Sequence, residues 1–267
     1  MSRADPSRQC HSIPLAVLAT VLMGCAEGAA KSSGTRGELR RVEFSYQRSC
    51  FFGCPLEQPL LESTRERIGL SAAGDAEGVS VKSDAPDVAN FAVERSCYCE
   101  RSDSTSRLEL RNDAACPGVW RKHCDNAVLV EAGTSGAAML ELRDARDAVI
   151  DRVRVVVHAA HDARFTATLP NQLGPTSGTS FELAAGQSLG LALTLYDEDG
   201  LELLAPEGVA WHVDDVGVAT ISGFLTGTGA DVHAGLSVNV QATGAGDTEV
   251  HIAVPGLDTS VEMHVAP

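Results

Sequence analysis

Six cysteines downstream of residue 25 hold most of the reactive chemistry in this chain: Cys50, Cys54, Cys97, Cys99, Cys116 and Cys124. Two readings compete. As thiolates, Cys97-x-Cys99, Cys116 and His123-Cys124 would offer ligands to zinc, but the spacing is not that of two Cys-x-x-Cys knuckles. As oxidised pairs, an even number in an oxidising compartment reads as three disulfides, with fifteen connectivities open. The disulfide reading is the stronger. On a strand, Cys97 and Cys99 point to the same face, so each takes a different partner. The expected pattern joins Cys50 to Cys54 across the Phe-Phe-Gly turn and pairs Cys97 and Cys99 with Cys116 and Cys124.

Other constellations carry less. Asp197, Asp199 and Asp214, with Glu198 and Asp215 beside them, are candidates for calcium, because hard cations favour clustered carboxylates. The competing account is a hairpin turn with Gly200 at positive φ and aspartates capping backbone amides. An EF-hand is excluded, since the later ligand positions are missing after Asp199-Gly200. His158 and His161-Asp162 have metal-compatible spacing, but they follow a Val-rich strand and read as a solvated linker. Gly133-Thr-Ser135-Gly-Ala lacks the second glycine of a nucleophile elbow and reads as a turn. The remaining histidines, such as His251 and His264, alternate with apolar residues and are expected to face solvent. Phe44, Tyr46, Phe51 and Phe52 read as core. No catalytic activity and no cofactor are expected.

The N-terminus explains the oxidising context. Arg3 and Arg8 against Asp5 give a positive start, and Ile13 to Met23 is apolar apart from Pro14 and Thr20. This is the layout of a secretory signal peptide. As a helix of about 1.5 Å per residue it reaches roughly 16 Å, short of the ~30 Å hydrocarbon core. Leu22-Met23-Gly24-Cys25 resembles the lipobox of bacterial lipoproteins. The resemblance implies removal of residues 1–24 and a diacylglyceryl thioether on Cys25, so that Cys25 holds the protein to a lipid bilayer. Residues 25–39, rich in small and polar side chains, read as a flexible tether.

The charge balance sets the partner class. The whole chain is at −15, and without residues 1–24 it stands at −16. Nucleic acid is therefore not an expected partner. Aromatics make up only 4% and glycine is frequent at 25 residues, which suggests turns and small-residue strands over long helices. The mature length suits two domains.

An internal repeat organises those domains. Glu77 to Phe91 (EGVSVKSDAPDVANF) aligns without gaps on Glu207 to Ile221 (EGVAWHVDDVGVATI). Downstream, Gly136 to Leu142 matches Gly246 to Ile252, and Val153-x-Val155-x-Val157 matches Val261-x-Met263-x-Val265. Upstream, Ile68-Gly-Leu70 sits beside Leu189-Gly-Leu191. Each piece alternates apolar and polar residues, the period of a half-buried strand. Asp197 to Gly200, Pro206 to Gly208, Gly244 to Gly246 and Pro255-Gly256 supply turns between them.

In Ala185-Gly186-Gln187, Leu191 to Tyr196, Asp197 to Gly200, Val209-Ala-Trp211, Val218-Ala-Thr220 and Gly244 to Val265, the chain resembles bacterial Ig-like domains of invasin and intimin-type surface proteins. The match spans about 163–267 directly and 40–160 through the repeat. It implies an all-β fold of two tandem Ig-like β-sandwiches, at 40–160 and 161–267, and a role without chemistry. The first copy is longer between its matched pieces, which places an insertion at about 94–127 around the cysteines, expected as a stapled polar loop. The function this supports is a noncatalytic, lipid-anchored protein of the bacterial envelope, in the outer membrane. It would act as a binding, adhesion or spacer module for a protein or glycan. The other reading is a structural accessory subunit of an envelope or secretion assembly.

Overall fold

Alternation decides the architecture, because a strand that hides every second side chain must find a second layer to cover them. The computed structural model describes residues 34–47, 55–71, 77–101, 107–110, 116, 120–169, 174–204, 208–223 and 228–267. Cys25, Cys50, Cys54, Phe51 and Phe52 lie outside them. No helix occurs among the described residues. The N-terminal half contains β1 (Thr35–Arg36), β2 (Glu43–Tyr46), β3 (Leu60–Leu61), β4 (Arg65–Ser71), β5 (Ser80–Ser83), β6 (Ala89–Arg101), β7 (Arg107–Leu110), β8 (Trp120–Ala132), β9 (Gly136–Arg143) and β10 (Val149–His158). The C-terminal half contains β11 (Asp162–Thr168), β12 (Thr176–Ser177), β13 (Ser180–Ala184), β14 (Ser188–Tyr196), β15 (Val209–Val213), β16 (Ala219–Ser222), β17 (Thr228–Gly229), β18 (Asp231–Ala234), β19 (Ser237–Ala242), β20 (Gly246–Val254) and β21 (Leu257–Ala266).

Each half is a sandwich of two sheets. The first pairs β1-β2-β4-β8-β6-β7 with β3-β10-β9-β5, and the second pairs β12-β11-β14-β19-β16-β17 with β13-β21-β20-β15-β18. In both, one sheet carries the order A-B-E-D (β2-β4-β8-β6 and β11-β14-β19-β16) and the other G-F-C (β10-β9-β5 and β21-β20-β15), with a short first-strand continuation (β3, β13) running parallel to the last strand. That is the immunoglobulin-like arrangement. Inward positions follow the alternation: Leu189, Leu191, Leu193 and Leu195 on β14, and Val153, Val155 and Val157 on β10, are all buried. Trp211 is 1% exposed between Val209 and Val213, and its Nε1 donates to the Gly235 carbonyl at 3.0 Å.

The repeat is visible in hydrogen bonds as well as letters. Val88 and Ala89 both donate to the Ala85 carbonyl, and Val218 and Ala219 both donate to that of Asp215. At the matching corner, Gly136 (φ 152°) and Gly246 (φ 148°) sit in a region that side chains avoid. A Cβ on either would lie 2.9 Å from Cγ2 of Val88 or Val218. The two glycines are therefore required twice over, by dihedral and by space.

The first sandwich begins earlier than residue 40. Thr35 and Arg36 pair with Phe44 and Glu43 as an edge strand, so the last residues of the expected tether belong to the fold. Asp151 fixes them. Its fully buried carboxylate accepts hydrogen bonds from the amides of Leu39, Arg41, Val42 and Arg152 at 2.7–2.8 Å. Burial pushes its pKa up, and the four amides outweigh that and hold it below the ordinary value.

The junction also departs from expectation. Only residues 159–161 separate β10 from β11, which leaves no length for a solvated linker. The two sandwiches exchange side chains instead. Leu61 from the first is fully buried in the core of the second, and Leu204 from the second packs in the core of the first. The Leu204 amide donates to the Pro59 carbonyl at 2.8 Å. His158 Nδ1 meets Asp197 Oδ2 at 2.5 Å, and Asp197 Oδ1 accepts from the amides of Asp199 and Leu201.

Two outcomes are expected. Leu61→Ala removes a buried leucine from the second core and should cost about 2–5 kcal/mol. A urea melt followed by Trp211 emission measures it, and an unchanged midpoint would show that Leu61 contributes nothing there. The second concerns acid. A carboxyl whose folded pKa is depressed stabilises above its unfolded value, about 3.9, and that stability disappears as pH falls through the folded pKa. Asp151→Asn should therefore lower stability at pH 7 by about 1.5–3 kcal/mol and flatten its loss below about pH 4. Urea melts at pH 7, 4 and 3 measure both effects.

Candidate functional site

The most distinctive element is a ribbon that outruns its own sheet. β4 stops pairing with β8 at Gly69–Ala127, while β6 and β8 continue from Glu94–Ala127 to Arg101–Trp120. In the second sandwich the equivalent strands, β16 and β19, pair only from Ala219–Ala242 to Ser222–Asn239. The expected insertion thus lies where the spacing of the repeat put it. Its form differs from the expected polar loop: residues 94–101 and 120–127 are strand, and β7 adds a third strand along β6 from Cys97–Leu110 to Glu100–Arg107.

Disulfides fix the register. Cys97 is bonded to Cys124, directly opposite in the ladder, and Cys99 is bonded to Cys116. A slip of one residue would turn Cys97 and Cys124 to opposite faces, so the cross-link forbids it. With all four thiols consumed, the zinc alternative has lost its ligands. Cys99 is fully buried. On the other face Tyr98 stacks on His123 directly opposite, ring centroids 5.6 Å apart, and His123 Nε2 lies 3.6 Å from Glu100 Oε2. Residues 94–127 hold six Lys or Arg and six Asp or Glu, a neutral element in a chain at −15.

The other candidate residues resolve into structure. Asp197 and Asp199 form the expected turn at the junction end of β14, with Asp197 capping amides. Asp214 follows β15 at the far end of the sandwich, where its amide donates to the Glu249 carbonyl. The three aspartates are therefore not brought together for calcium. Burial pushes the Asp197 pKa up, and the bonds from His158, Leu201 and Asp199 hold it lower than usual. Ser135 is a turn residue whose Oγ bonds Glu62 and accepts from the Ala159 amide. Phe44 and Tyr46 are core.

His251 and His264 are half-exposed, as their alternation implies. Asp247, 2.7 Å from His264 Nδ1, raises the pKa of that imidazole. In the sequence these histidines stand far apart; the pairing of β18, β15, β20 and β21 places four of them on one sheet face. Among the described residues, no three His, Cys, Asp or Glu side chains already close on a common point.

No family model matches the sequence, and no curated protein matches it. Solved structures give distant likenesses. Domains 4 and 5 of the S-layer protein SbsC are 17% identical, with 71% of this chain and 77% of that chain covered and a TM-score of 0.28. The Yersinia pseudotuberculosis adhesin InvE is 13% identical, covering 90% of this chain and 62% of that one, at 0.29. A glycosyl hydrolase family 2 member from Bacteroides cellulosilyticus is 11% identical, covering 77% and 23%, at 0.27. Superposition at that level supports no functional argument. The fold stands on the strand order and register of this chain, which are those of two tandem Ig-like β-sandwiches.

Proposed function

We propose that this chain is an exported lipoprotein of the bacterial outer membrane, tethered through acylated Cys25, whose paired sandwiches present the cross-linked ribbon to a protein or glycan. The role is noncatalytic. The observation that carries it is the difference between equivalent strand pairs of the two sandwiches: β16–β19 is four residues deep, whereas β6–β8 is thirteen deep, crossed by Cys97–Cys124 and tied to the residue ahead of β8 by Cys99–Cys116. A pure spacer has no use for such an element, whereas binding surfaces concentrate on segments held by a fixed scaffold. An aromatic–imidazole pair between balanced charges is a surface suited to polar recognition. Two or three acyl chains, at about 0.8 kcal/mol per buried methylene, supply a stable anchor.

A strut within an envelope assembly is the second reading, and the exchanged leucines at the junction favour it. A strut needs an apolar docking face, however. Among the described residues the exposed large apolar side chains are Leu39, Leu201 and Val216, on separate elements.

Two experiments test the proposal. Cys25→Ser is expected to move the protein from the membrane to the soluble envelope fraction; retention in the membrane would refute the lipid anchor. On glycan and protein arrays, the wild type is expected to give signals that vanish when residues 95–126 are replaced by a short turn, with the β-rich circular dichroism spectrum and cooperative unfolding retained. Signals that persist in the shortened protein would assign binding elsewhere and refute the ribbon.

A further inference from the structure

From residue 165 onward the sequence contains thirteen Asp and Glu and no Lys or Arg. The side chains there that can become cationic are His212, His233, His251 and His264. All four belong to the sheet β13-β21-β20-β15-β18. Strand alternation turns them outward, since Trp211, Val213, Val232, Val250, Ile252 and Met263 face the core. Asp214, Asp231, Asp247, Glu249 and Glu262 stand among them with no basic side chain to offset the charge.

Within that face one group has the geometry of a chelate. His212 is directly opposite His251 in the β15–β20 ladder, with ring centroids 6.3 Å apart. Directly opposed residues bring their Cβ atoms to roughly 4.5–5.5 Å, a span two imidazoles can close over a shared ion. Both rings turn the same nitrogen toward one carboxylate: His212 Nε2 lies 3.5 Å from Asp214 Oδ1, and His251 Nε2 lies 3.2 Å from Asp214 Oδ2. Glu249 Oε2 is 3.7 Å from His251 Nε2. Behind His212, Nδ1 meets Asp231 Oδ1 at 2.8 Å. A carboxylate on Nδ1 keeps the proton there and leaves the Nε2 lone pair facing outward, the arrangement by which metal-binding imidazoles are oriented.

We propose that His212, His251 and Asp214 form a surface site for a borderline divalent metal ion of the zinc class, with Asp231 as the positioning residue. Two imidazoles and a carboxylate suit Zn2+, Cu2+ or Ni2+, whereas Ca2+ and Mg2+ require oxygen donors throughout. The ligands do not yet converge on one point. Their side chains are 44–51% exposed, so Asp214 and His251 have room to adjust about their side-chain torsions while Asp231 holds His212 in place. The site is independent of the ribbon and of the anchor, and it goes beyond the binding role proposed above.

The test is calorimetric titration of the chelator-stripped full-length protein in detergent with ZnCl2 at pH 7.5, and separately with CaCl2. One Zn2+ per chain is expected, at least tenfold weaker in His212→Ala and in His251→Ala, and about tenfold weaker in Asp231→Asn. His233→Ala and His264→Ala are expected to leave it unchanged, and CaCl2 to give no saturable binding. Trp211 emission checks folding, and His212→Gln and His251→Gln replace any alanine variant that fails that check. Absence of saturable Zn2+ binding, Zn2+ binding that survives loss of both histidines, or Ca2+ competition for the same site would each overturn the proposal.

Discussion

Each core of this protein is closed by a leucine from the other. With three residues between β10 and β11, the end of one sandwich must lie against the beginning of the next, and the surfaces that meet must be compatible. Leu61 and Leu204 meet that requirement with apolar area, each packing under the neighbouring sandwich. Asp197 meets it with polarity. A carboxylate only 3% exposed would be costly if unpaired, and here two amides and the His158 imidazole complete its shell. The turn that caps the second sandwich is thereby held by the last residue of the first. Residues 31–267 accordingly form one compact unit although they contain two copies of one plan.

That plan is repeated where geometry allows no choice and altered where it does. The corner that launches strands D and F is the same in both copies, down to the glycine whose missing Cβ makes room for Val88 or Val218. Beyond the corner the D–E pair lengthens in the first copy alone, past the point where β4 stops pairing with β8. An extended ribbon of few strands is marginal by itself. The disulfides stabilise it by restricting the unfolded ensemble, each worth about 3–4 kcal/mol for a loop of this length. Cross-linking and extension thus occur together, in the one strand pair that outruns its sheet.

Much of this was legible in the sequence because strand period and repeat offset are local properties. Alternation at Leu189 to Leu195, the inward Trp211, and the surplus of residues between Ala89 and Gly136 each follow from letters alone. The ribbon reads as a loop in the sequence because its residues, Arg95-Ser-Cys-Tyr-Cys-Glu-Arg101 and Arg121-Lys-His-Cys124, lack the β-branched content that marks strands. Their extended form is imposed by pairing and cross-links. The junction reads as a linker in the sequence because nothing local distinguishes Leu60-Leu61 from any apolar pair. Its meaning depends on Leu204, more than a hundred residues away. Asp151 was invisible for a related reason, since its partners are backbone amides and leave no trace in the sequence.

The acidic character of the chain separates into what the fold demands and what it tolerates. Asp151 and Asp197 are buried, so the structure must satisfy them, and it does so with amides and one imidazole in place of Lys or Arg. The outer face of β15, β20 and β21 is under no such demand. Exposed positions on a strand require only polarity, and Thr or Ser would meet that need at no electrostatic cost. Aspartates and glutamates interleaved with histidines instead build like-charge repulsion into neighbouring strands, as at Glu249 opposite Glu262. The face departs from the least costly choice at adjacent positions, and its interleaved histidines offset the repulsion in part, as where Asp247 raises the pKa of the His264 imidazole.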